Sequence, residues 1–301
     1  MNLEEFINQV VERLKADLGE KYQIDKNETV ENNGIPKYGV RVRKRGQEDL
    51  TATFYLGEDY TRFQSEEDFE VCIRALKKKI KETMDHVETN KLRTIVPDWD
   101  RIQSYIFPMV INTEKNREFL RKVIHRPFLD MTVMFRAIMG EIEEGWVYVD
   151  LDEDLLEMWN VTRQELEELS YANLEREGGR LYSCGELKEG AFSGKIEEIS
   201  PGTALRENYM YILTNEEQMY GAAQILNRQL LRKIAGERNL YLLPCSVHEL
   251  IVLVDDGNIE VEELIKAMHN IEISMKKKDI LQDHPYYYDF ARDEIRVYQR
   301  N

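Results

Sequence analysis

The feature that most constrains this fold is that two spacings between apolar residues alternate along the chain in separate blocks. At the start, apolar side chains recur every three or four positions, which places them on one face of an α-helix. They are Leu3, Phe6, Ile7, Val10, Val11, Leu14 and Leu18, and Gly19 follows them as a helix stop. Residues 38–42 and 50–56 alternate between apolar and polar, which is typical of half-buried strands. Helical spacing returns over residues 69–87.

The same pattern divides the chain into two parts. A weaker strand is predicted over residues 21–30, before the turn signal Asn32-Asn33-Gly34, so that a hairpin can form there. Helix, three strands and helix then make a small α+β unit. After Pro97 the pattern starts again, and alternation over residues 129–139 and 146–149 predicts another hairpin. We therefore expect an N-terminal unit at residues 1–97 and a larger α+β domain at residues 98–301.

The larger domain is predicted to be a mainly antiparallel sheet with helices on one face. Its predicted helices are 153–159, 163–177 with a capping box from Thr162 and Glu165, 216–235 capped by Thr214 with Glu217 and ended by Gly236, and 261–271. Its further predicted strands are 209–213, 240–243, 249–254 and one or two edge strands in the tyrosine-rich end. The glycine-containing residues 178–202 are predicted to be the most loop-like stretch.

The net charge of the chain limits the kinds of molecule that it can bind. The chain has 41 basic and 57 acidic side chains and a formal net charge of −16, which repels phosphate backbones and makes nucleic-acid binding unlikely. The densest acidic stretch, residues 141–168, holds eleven carboxylates and one cation, Arg163. Such a surface attracts a basic protein partner or is simply a solvated acidic face, and both interpretations stay open.

Location and redox state follow from what the sequence lacks. It has no apolar run near the roughly 20 residues that span a bilayer, and its first residues do not resemble a signal peptide. The three cysteines, Cys72, Cys184 and Cys245, are far apart and form no CxxC pair, so neither a disulfide framework nor a thiolate zinc site is indicated. We expect a cytoplasmic protein with reduced thiols and no membrane association.

The strongest catalytic candidates lie in the segment Pro244-Cys245-Ser246-Val247-His248-Glu249. If the segment is extended, Ser246 and His248 share a face and can form a pair, whereas a tight turn after Pro244 favours Cys245 with His248. Ser246 lacks a GxSxG context, and His248-Glu249 lacks the second histidine of an HExxH motif. A structural, hydrogen-bonded histidine is the competing interpretation. For a metal site, Asp283 or His284 could converge with His248 or Glu249, and a ligand from a third segment would still be needed.

A second candidate site is a row of basic residues on the strand at residues 38–45. Arg41, Arg43 and Arg45 stand at alternate positions, about 7 Å apart on one face, which suits the binding of phosphates. A solvated sheet edge with nearby Glu48 and Asp49 explains the same residues. No glycine-rich nucleotide motif is present in the sequence, and no cofactor is expected.

Several segments in the last third of the chain are similar to those of a known protein family. The stretch from Tyr209-Met210-Tyr211-Ile212-Leu213-Thr214-Asn215 through Gly221-Ala222-Ala223 to Leu243-Pro244-Cys245-Ser246-Val247-His248-Glu249 resembles a family of bacterial proteins catalogued as a domain of unknown function. It is more remotely similar to YtpQ-like proteins. The likeness covers roughly residues 100–295, and it implies an intracellular bacterial protein without assigning a role to any residue.

Two classes of function fit these observations. The first is a non-enzymatic intracellular binding or adaptor protein. The second is a hydrolase, metal-assisted or not, centred on His248 with Ser246 or Glu249 and with Asp283 or His284. The two differ in space, because an enzyme requires several of these side chains to converge in a cleft.

Overall fold

A computed structural model of the chain describes residues 1–65, 68–89, 99–142, 145–188, 191–193 and 195–298. Two compact units divide the chain. The first comprises Met1–Glu31 and Ile35–Pro97, and the second comprises Asn32–Gly34 and Asp98–Asn301. Residues 90–98, where the sequence pattern places the boundary, lie outside the described residues.

The first unit packs helices against a three-stranded antiparallel sheet in the order β1-β2-β3. Its elements are α1 (Leu3–Leu18), β1 (Tyr22–Glu31), β2 (Ile35–Lys44), β3 (Gln47–Tyr55), α2 (Gly57–Gln64) and α3 (Phe69–Thr89). Alternate strand residues such as Ile24, Val40 and Phe54 share one buried core with the apolar faces of α1 and α3. The predicted order of helix, three strands and helix is confirmed, and α2 is an element that the spacing did not predict.

The second unit contains the remaining elements. Its helices are α4 (Trp99–Ile102), α5 (Arg117–Leu120), α6 (Glu153–Trp159), α7 (Arg163–Glu177), α8 (Arg228–Ala235) and α9 (Val261–Glu272). Its strands are β4 (Ile106–Asn112), β5 (His125–Phe128), β6 (Met131–Ile142), β7 (Gly145–Asp150), β8 (Arg180–Lys188), β9 (Ala191–Ser193), β10 (Glu197–Ile199), β11 (Tyr209–Thr214), β12 (Leu240–Leu243), β13 (Leu250–Val254), β14 (Tyr286–Asp289) and β15 (Glu294–Val297).

Two antiparallel sheets organise this unit. The larger runs β10-β8-β11-β13-β12-β14-β15, with β9 paired to β8, and the smaller runs β4-β6-β5, with β7 paired to β6. The predicted β6–β7 hairpin is confirmed, as are α6 and α7 with the capping box of Thr162 and Glu165. The α+β class is confirmed by the mixture of helices with antiparallel sheets.

Both faces of the large sheet are buried, whereas the sequence suggested helices on one face. Leu242 and Val252 point into a core that includes Leu231 of α8, while Leu243 and Leu253 point into a second core on the other face. Helix α9 covers that second face. A strand buried on both faces is apolar at every position, as β12 and β13 are, so its sequence does not reveal which face is covered.

The prediction of a loop over residues 178–202 is wrong. Strand β8 lies inside the large sheet between β10 and β11, with Leu181, Cys184 and Leu187 buried. The glycines have structural roles there. A Cβ on Gly179 would come within 2.5 Å of Leu230, and Gly185 has a φ of 113° next to a register shift between β8 and β11.

The predicted helix over residues 216–235 is wrong in its first half. Residues 215–220 form a turn, residues Gly221–Leu226 a 3₁₀ helix, and only Arg228–Ala235 is α-helical. Thr214 does not cap a helix, because its hydroxyl donates to the carbonyl of His248 at 2.8 Å. Asn227 caps α8 instead, by accepting from the Leu230 N–H at 3.0 Å.

Among the described residues, no helix combines the length and the apolar character that crossing a membrane requires.

Candidate functional site

Ser246 is buried in the second unit, where hydrogen bonds with neighbouring backbone groups fix its position. It is 2% exposed, its backbone forms an isolated bridge with Ile280, and its Oγ accepts from the His248 N–H at 2.9 Å. Its neighbour Glu249 is partly buried, and this burial raises the pKa of Glu249, while the nearby His248 ring and a hydrogen bond with Ser246 lower it. Ser246 therefore takes part in a local turn that its own hydroxyl stabilises.

The His248 ring has partners at both nitrogens. Its Nδ1 accepts from the backbone N–H of Tyr220 at 3.2 Å, and its Nε2 lies 3.3 Å from Asp279 Oδ1. An Nδ1 that accepts a hydrogen bond carries no proton, so the neutral ring is protonated at Nε2. The Tyr220 ring lies beside the imidazole, with a centroid separation of 5.3 Å.

The segment from 245 to 249 does not form a strand, so the face shared by Ser246 and His248 in an extended chain is not formed. The ring of His248 contacts Tyr220 and Asp279, whereas the hydroxyl of Ser246 accepts from the His248 backbone N–H and bonds to Glu249. Cys245 is buried, and burial, followed by the nearby Glu249, raises the pKa of its thiol to about 12. A thiol with this pKa stays protonated at neutral pH and is a poor nucleophile.

Asp283 and His284 belong to a separate cluster with Asp130. His284 Nδ1 lies 3.0 Å from Asp283 Oδ1, and its Nε2 lies 2.8 Å from Asp130 Oδ2 without the geometry of a hydrogen bond. Tyr286 donates to the other oxygen of Asp130, and its ring stacks on His284 at 5.2 Å. Within the described part of the chain, no three His, Cys, Asp or Glu side chains are placed to hold a metal ion together. The metal-ligand role of Asp283 and His284 stays a prediction.

Arg41 and Arg43 lie on β2 in the first unit, whereas Arg45, predicted on the same strand, lies in the turn after it. Each of the three has a partner within that unit. Arg41 donates to Asn27 at 2.7 Å, Arg43 to Asp25 at 3.2 Å, and Arg45 to the carbonyl of Gly19 at 2.8 Å. The cross-strand partners are set by the β1–β2 register, which pairs Asp25 with Arg41 and Gln23 with Arg43. Because these contacts use only part of each guanidinium, anion binding by the row stays a prediction.

The most unusual backbone of this region lies in the turn over residues 215–221, which the sequence pattern had assigned to a helix. Gln218 and Tyr220 have φ values of 52° and 58°, in the left-handed region that bulky side chains rarely adopt. Gly221 follows in a crowded position, where a Cβ would lie 2.2 Å from Thr214 Oγ1 and 2.7 Å from the His248 carbonyl oxygen. Strained backbone of this kind concentrates at functional sites.

Three kinds of contact hold this turn. The Asn215 side chain accepts from the Met219 N–H at 3.1 Å and donates to the Met219 carbonyl at 3.0 Å. His248 Nδ1 accepts from Tyr220, and the Ala222 N–H donates to the Val247 carbonyl at 3.3 Å. The turn is therefore fixed mainly by its own asparagine and by the segment that contains His248.

A buried guanidinium lies against the same turn. The Arg136 side chain is 8% exposed and its Nε donates to Asp150 at 2.6 Å across the β6–β7 pair. Its guanidinium carbon lies 3.8 Å from the Tyr148 ring centroid and 4.9 Å from that of Tyr220. Ion pairing and two cation–π contacts compensate for the loss of water around this charge.

A small pocket lies between this turn, β4 and α7. Its walls are Phe107, Pro108, Met109, Ile138, Leu174, Glu177, Asn215, Met219, Tyr220, Gly221, Ala223 and Gln224. Its volume of about 10 Å³ suits at most one water molecule, so the pocket is closed to larger ligands in this conformation. Glu177 keeps some surface exposure, but burial of its carboxyl raises the pKa of Glu177 to about 7, which a hydrogen bond from Asn215 opposes.

The acidic stretch begins in β6 and β7 of the second unit and continues through α6 into α7. Exposed carboxylates of Glu153, Asp154 and Glu157 project from α6, and only Glu153 has an ion pair among the described residues, with Arg163 at 2.6 Å. Met158, between them, is 59% exposed. The Trp159 ring of the same helix is half-buried and lies 5.6 Å from that of Trp99. Glu143 and Glu144, at the start of the acidic stretch, lie outside the described residues.

Comparison with known proteins gives one match. The model of a family of unknown function, DUF5688, matches residues 3–290, nearly the whole chain. Neither the curated proteins nor the solved structures contain a significant match.

Proposed function

The chain belongs to the DUF5688 family, whose function is unknown, and on that premise we propose that it is a non-enzymatic binding or adaptor protein that receives a basic partner. The proposed contact surface, called the α6 surface below, consists of Glu153, Asp154, Glu157 and Met158 of α6. A partner that fits it carries lysine or arginine side chains around an apolar residue.

The observation that carries this proposal is the shortage of cations near these carboxylates. Between residues 152 and 168 the chain has seven acidic side chains and one arginine. Asp154 and Glu157 are exposed, and the described residues provide no ion pair for either. Uncompensated carboxylates around an exposed methionine favour a cationic partner with an apolar contact residue, because the charges attract it and the methionine adds apolar burial on contact.

The net charge of the whole chain acts in the same direction. A formal charge of −16 raises the rate of encounter with cationic molecules and lowers it with polyanions. The proposal therefore takes a basic protein or peptide as the partner, with nucleic acid unlikely and no role for a membrane surface.

The alternative is a hydrolase in which Asp279 orients His248 as a general base. The 3.3 Å separation between His248 Nε2 and Asp279 Oδ1 favours this arrangement. A general base needs a free lone pair, however, and the Nδ1 lone pair is already used by the Tyr220 N–H. Ser246 is nearly inaccessible, and its side chain forms hydrogen bonds with the His248 backbone N–H and with Glu249. These features support the binding function over the hydrolase.

Titration with a fluorescently labelled, lysine-rich amphipathic peptide tests the proposal. We expect the full chain to bind it at low ionic strength, and the double variant Asp154→Asn, Glu157→Gln to bind about two- to thirtyfold more weakly. Each exposed ion pair contributes about 0.2–1 kcal/mol, which sets this range. The dependence of log Kd on log salt concentration should also become shallower in the variant.

The matched control is the variant Glu207→Gln, Glu237→Gln. It removes the same two charges from exposed positions of the second unit outside α6 and α7. We expect its affinity to stay within twofold of the unmodified chain. Equal losses in both variants would show that only net charge matters, and no measurable binding at low salt would contradict the proposal outright.

Three finer expectations concern the location and the relatives of the protein. A cytoplasmic location is supported by three cysteines that are buried and form no disulfide. A bacterial source and the remote similarity to YtpQ-like proteins stay predictions.

A further inference from the structure

The turn over residues 215–221 joins a strained backbone, a titratable acceptor and a closed pocket at one place. Tyr220 adopts a φ of 58°, although a left-handed conformation is unfavourable for a residue with a bulky side chain. Its N–H is directed to a side-chain acceptor, His248 Nδ1, at 3.2 Å. The pocket wall includes Asn215, Met219 and Tyr220 of the turn, so the position of the turn decides whether the pocket is open.

This acceptor exists only in one protonation state of the ring. Neutral imidazole has one nitrogen that donates and one that accepts, whereas in the imidazolium ion both nitrogens donate. Protonation of His248 would therefore place two N–H groups against each other, at Nδ1 and at the backbone of Tyr220. A hydrogen bond would be replaced by a repulsive contact in a partly buried place.

The two nitrogens of the His248 ring face groups of different kinds. Asp279 lies 3.3 Å from Nε2 and Glu249 interacts electrostatically with the ring, so two carboxylates favour the charged form. The Tyr220 N–H favours the neutral form. On the side of the turn, the Tyr220 ring faces the guanidinium of Arg136, and Asn215 donates to Glu177 at 3.2 Å. Both ring nitrogens therefore face groups that discriminate between neutral and protonated imidazole.

We propose that the 215–221 turn is a pH-sensitive cover of the pocket beside β4 and α7. Neutral His248 holds the cover closed by accepting the Tyr220 N–H. Protonated His248 turns towards its two carboxylate partners, Asp279 and Glu249, and releases Tyr220. The turn then relaxes from its left-handed conformation, and the largely apolar pocket walls become accessible. This device is independent of the α6 surface.

Amide hydrogen exchange of the full chain, measured by NMR at pH 7.5 and pH 5.0, tests the cover directly. After correction for the intrinsic exchange rate at each pH, we expect the protection factor of the Tyr220 amide to fall at least tenfold at the lower pH. The amide of Leu231 in α8, which donates to the Asn227 carbonyl at 3.0 Å, is the internal reference and should keep its protection. Unchanged protection of Tyr220 would overturn the proposal.

Variants identify which group titrates. In His248→Asn the side-chain oxygen can accept at the position of Nδ1 but does not titrate, so Tyr220 should stay protected at both values of pH. In Glu177→Gln the carboxyl that accepts from Asn215 of the turn no longer titrates, and the loss of protection should persist. A pH response that survives in His248→Asn, or disappears in Glu177→Gln, would overturn the assignment to His248.

The ring itself provides a measurement that does not depend on any variant. At pH 7.5, the nitrogen chemical shifts of His248 should report an unprotonated Nδ1 and a protonated Nε2. The opposite tautomer would contradict the proposal, because a protonated Nδ1 cannot accept from Tyr220. His269, exposed on α9, serves as the comparison for a solvated ring.

Discussion

At the scale of single residues, hydrogen-bond partners decide what the candidate side chains can do. Ser246 and His248 are two positions apart in sequence, yet each is used by a different neighbour in the second unit. His284 likewise lies between two carboxylates, those of Asp283 and Asp130, and the second of these comes from a distant part of the chain. The sequence specifies the chemical type of each side chain, but the surrounding groups determine whether that side chain is free to bind or react.

Gly221 illustrates a residue whose smallness is required by its neighbours. We expect Gly221→Ala to lower the free energy of unfolding by about 1–3 kcal/mol, because the new Cβ would overlap backbone atoms of Asn215 and His248 at 2.7 Å. Urea denaturation measures the change. Gly202→Ala is the control, since its nearest atom is the flexible end of Lys233 at 3.5 Å, and it should change the stability by less than about 0.5 kcal/mol. Similar losses in both variants would contradict this explanation.

The raised pKa of Glu177 predicts how the stability of the chain depends on pH. Its pKa is raised to about 7 in the folded chain from an ordinary value of 4.5, so folding favours its protonated form. The resulting stabilisation is complete below pH 4.5 and is lost as the pH rises to about 7. Glu177→Gln should therefore gain stability relative to the unmodified chain across this window, by about 1 kcal/mol or less because solvent screens the partly exposed group.

Unfolding by urea at pH 4.5, 6 and 8 measures the trend for Glu177. The matched control is Glu175→Gln, an exposed position of the same helix, for which we expect no such trend. A stability difference for Glu177→Gln that is the same at all three values of pH would show that its carboxyl does not titrate in this window.

At the scale of elements, the helix that the sequence predicted best is one whose N-terminus carries a capping box of two side chains. In α7, Thr162 accepts from the Glu165 N–H at 3.2 Å and Glu165 accepts from the Thr162 N–H at 2.8 Å. The helix over residues 216–235 looked equally well capped, by Thr214 with Glu217, yet its first half is a turn. The Thr214 hydroxyl donates to a carbonyl 34 positions away in the sequence, which a local motif cannot indicate.

The cap of α7 gives a prediction at this scale. Thr162→Ala should lower the free energy of unfolding by about 1 kcal/mol, because the Glu165 N–H loses its acceptor and the Glu165 carboxylate loses the hydroxyl that donates to it. Thermal unfolding followed by circular dichroism measures the loss. Thr203→Ala, at an exposed loop position, is the control and should leave the midpoint nearly unchanged. An equally small effect at Thr162 would mean that packing of Leu166 and Leu174 alone holds the helix.

At the scale of the whole molecule, spacing and composition were enough to predict the α+β class, the order of helix, three strands and helix in the first unit, and the acidity that supports a basic partner. These depend on spacing and charge, which act over neighbouring residues or over the chain as a whole. Long-range contacts place β8 in the large sheet, cover both faces of that sheet, and bring Tyr220, His248 and Asp279 together. Those outcomes require partners far apart in sequence, and no local pattern specifies which distant partner a strand or a hydrogen-bonding group will find.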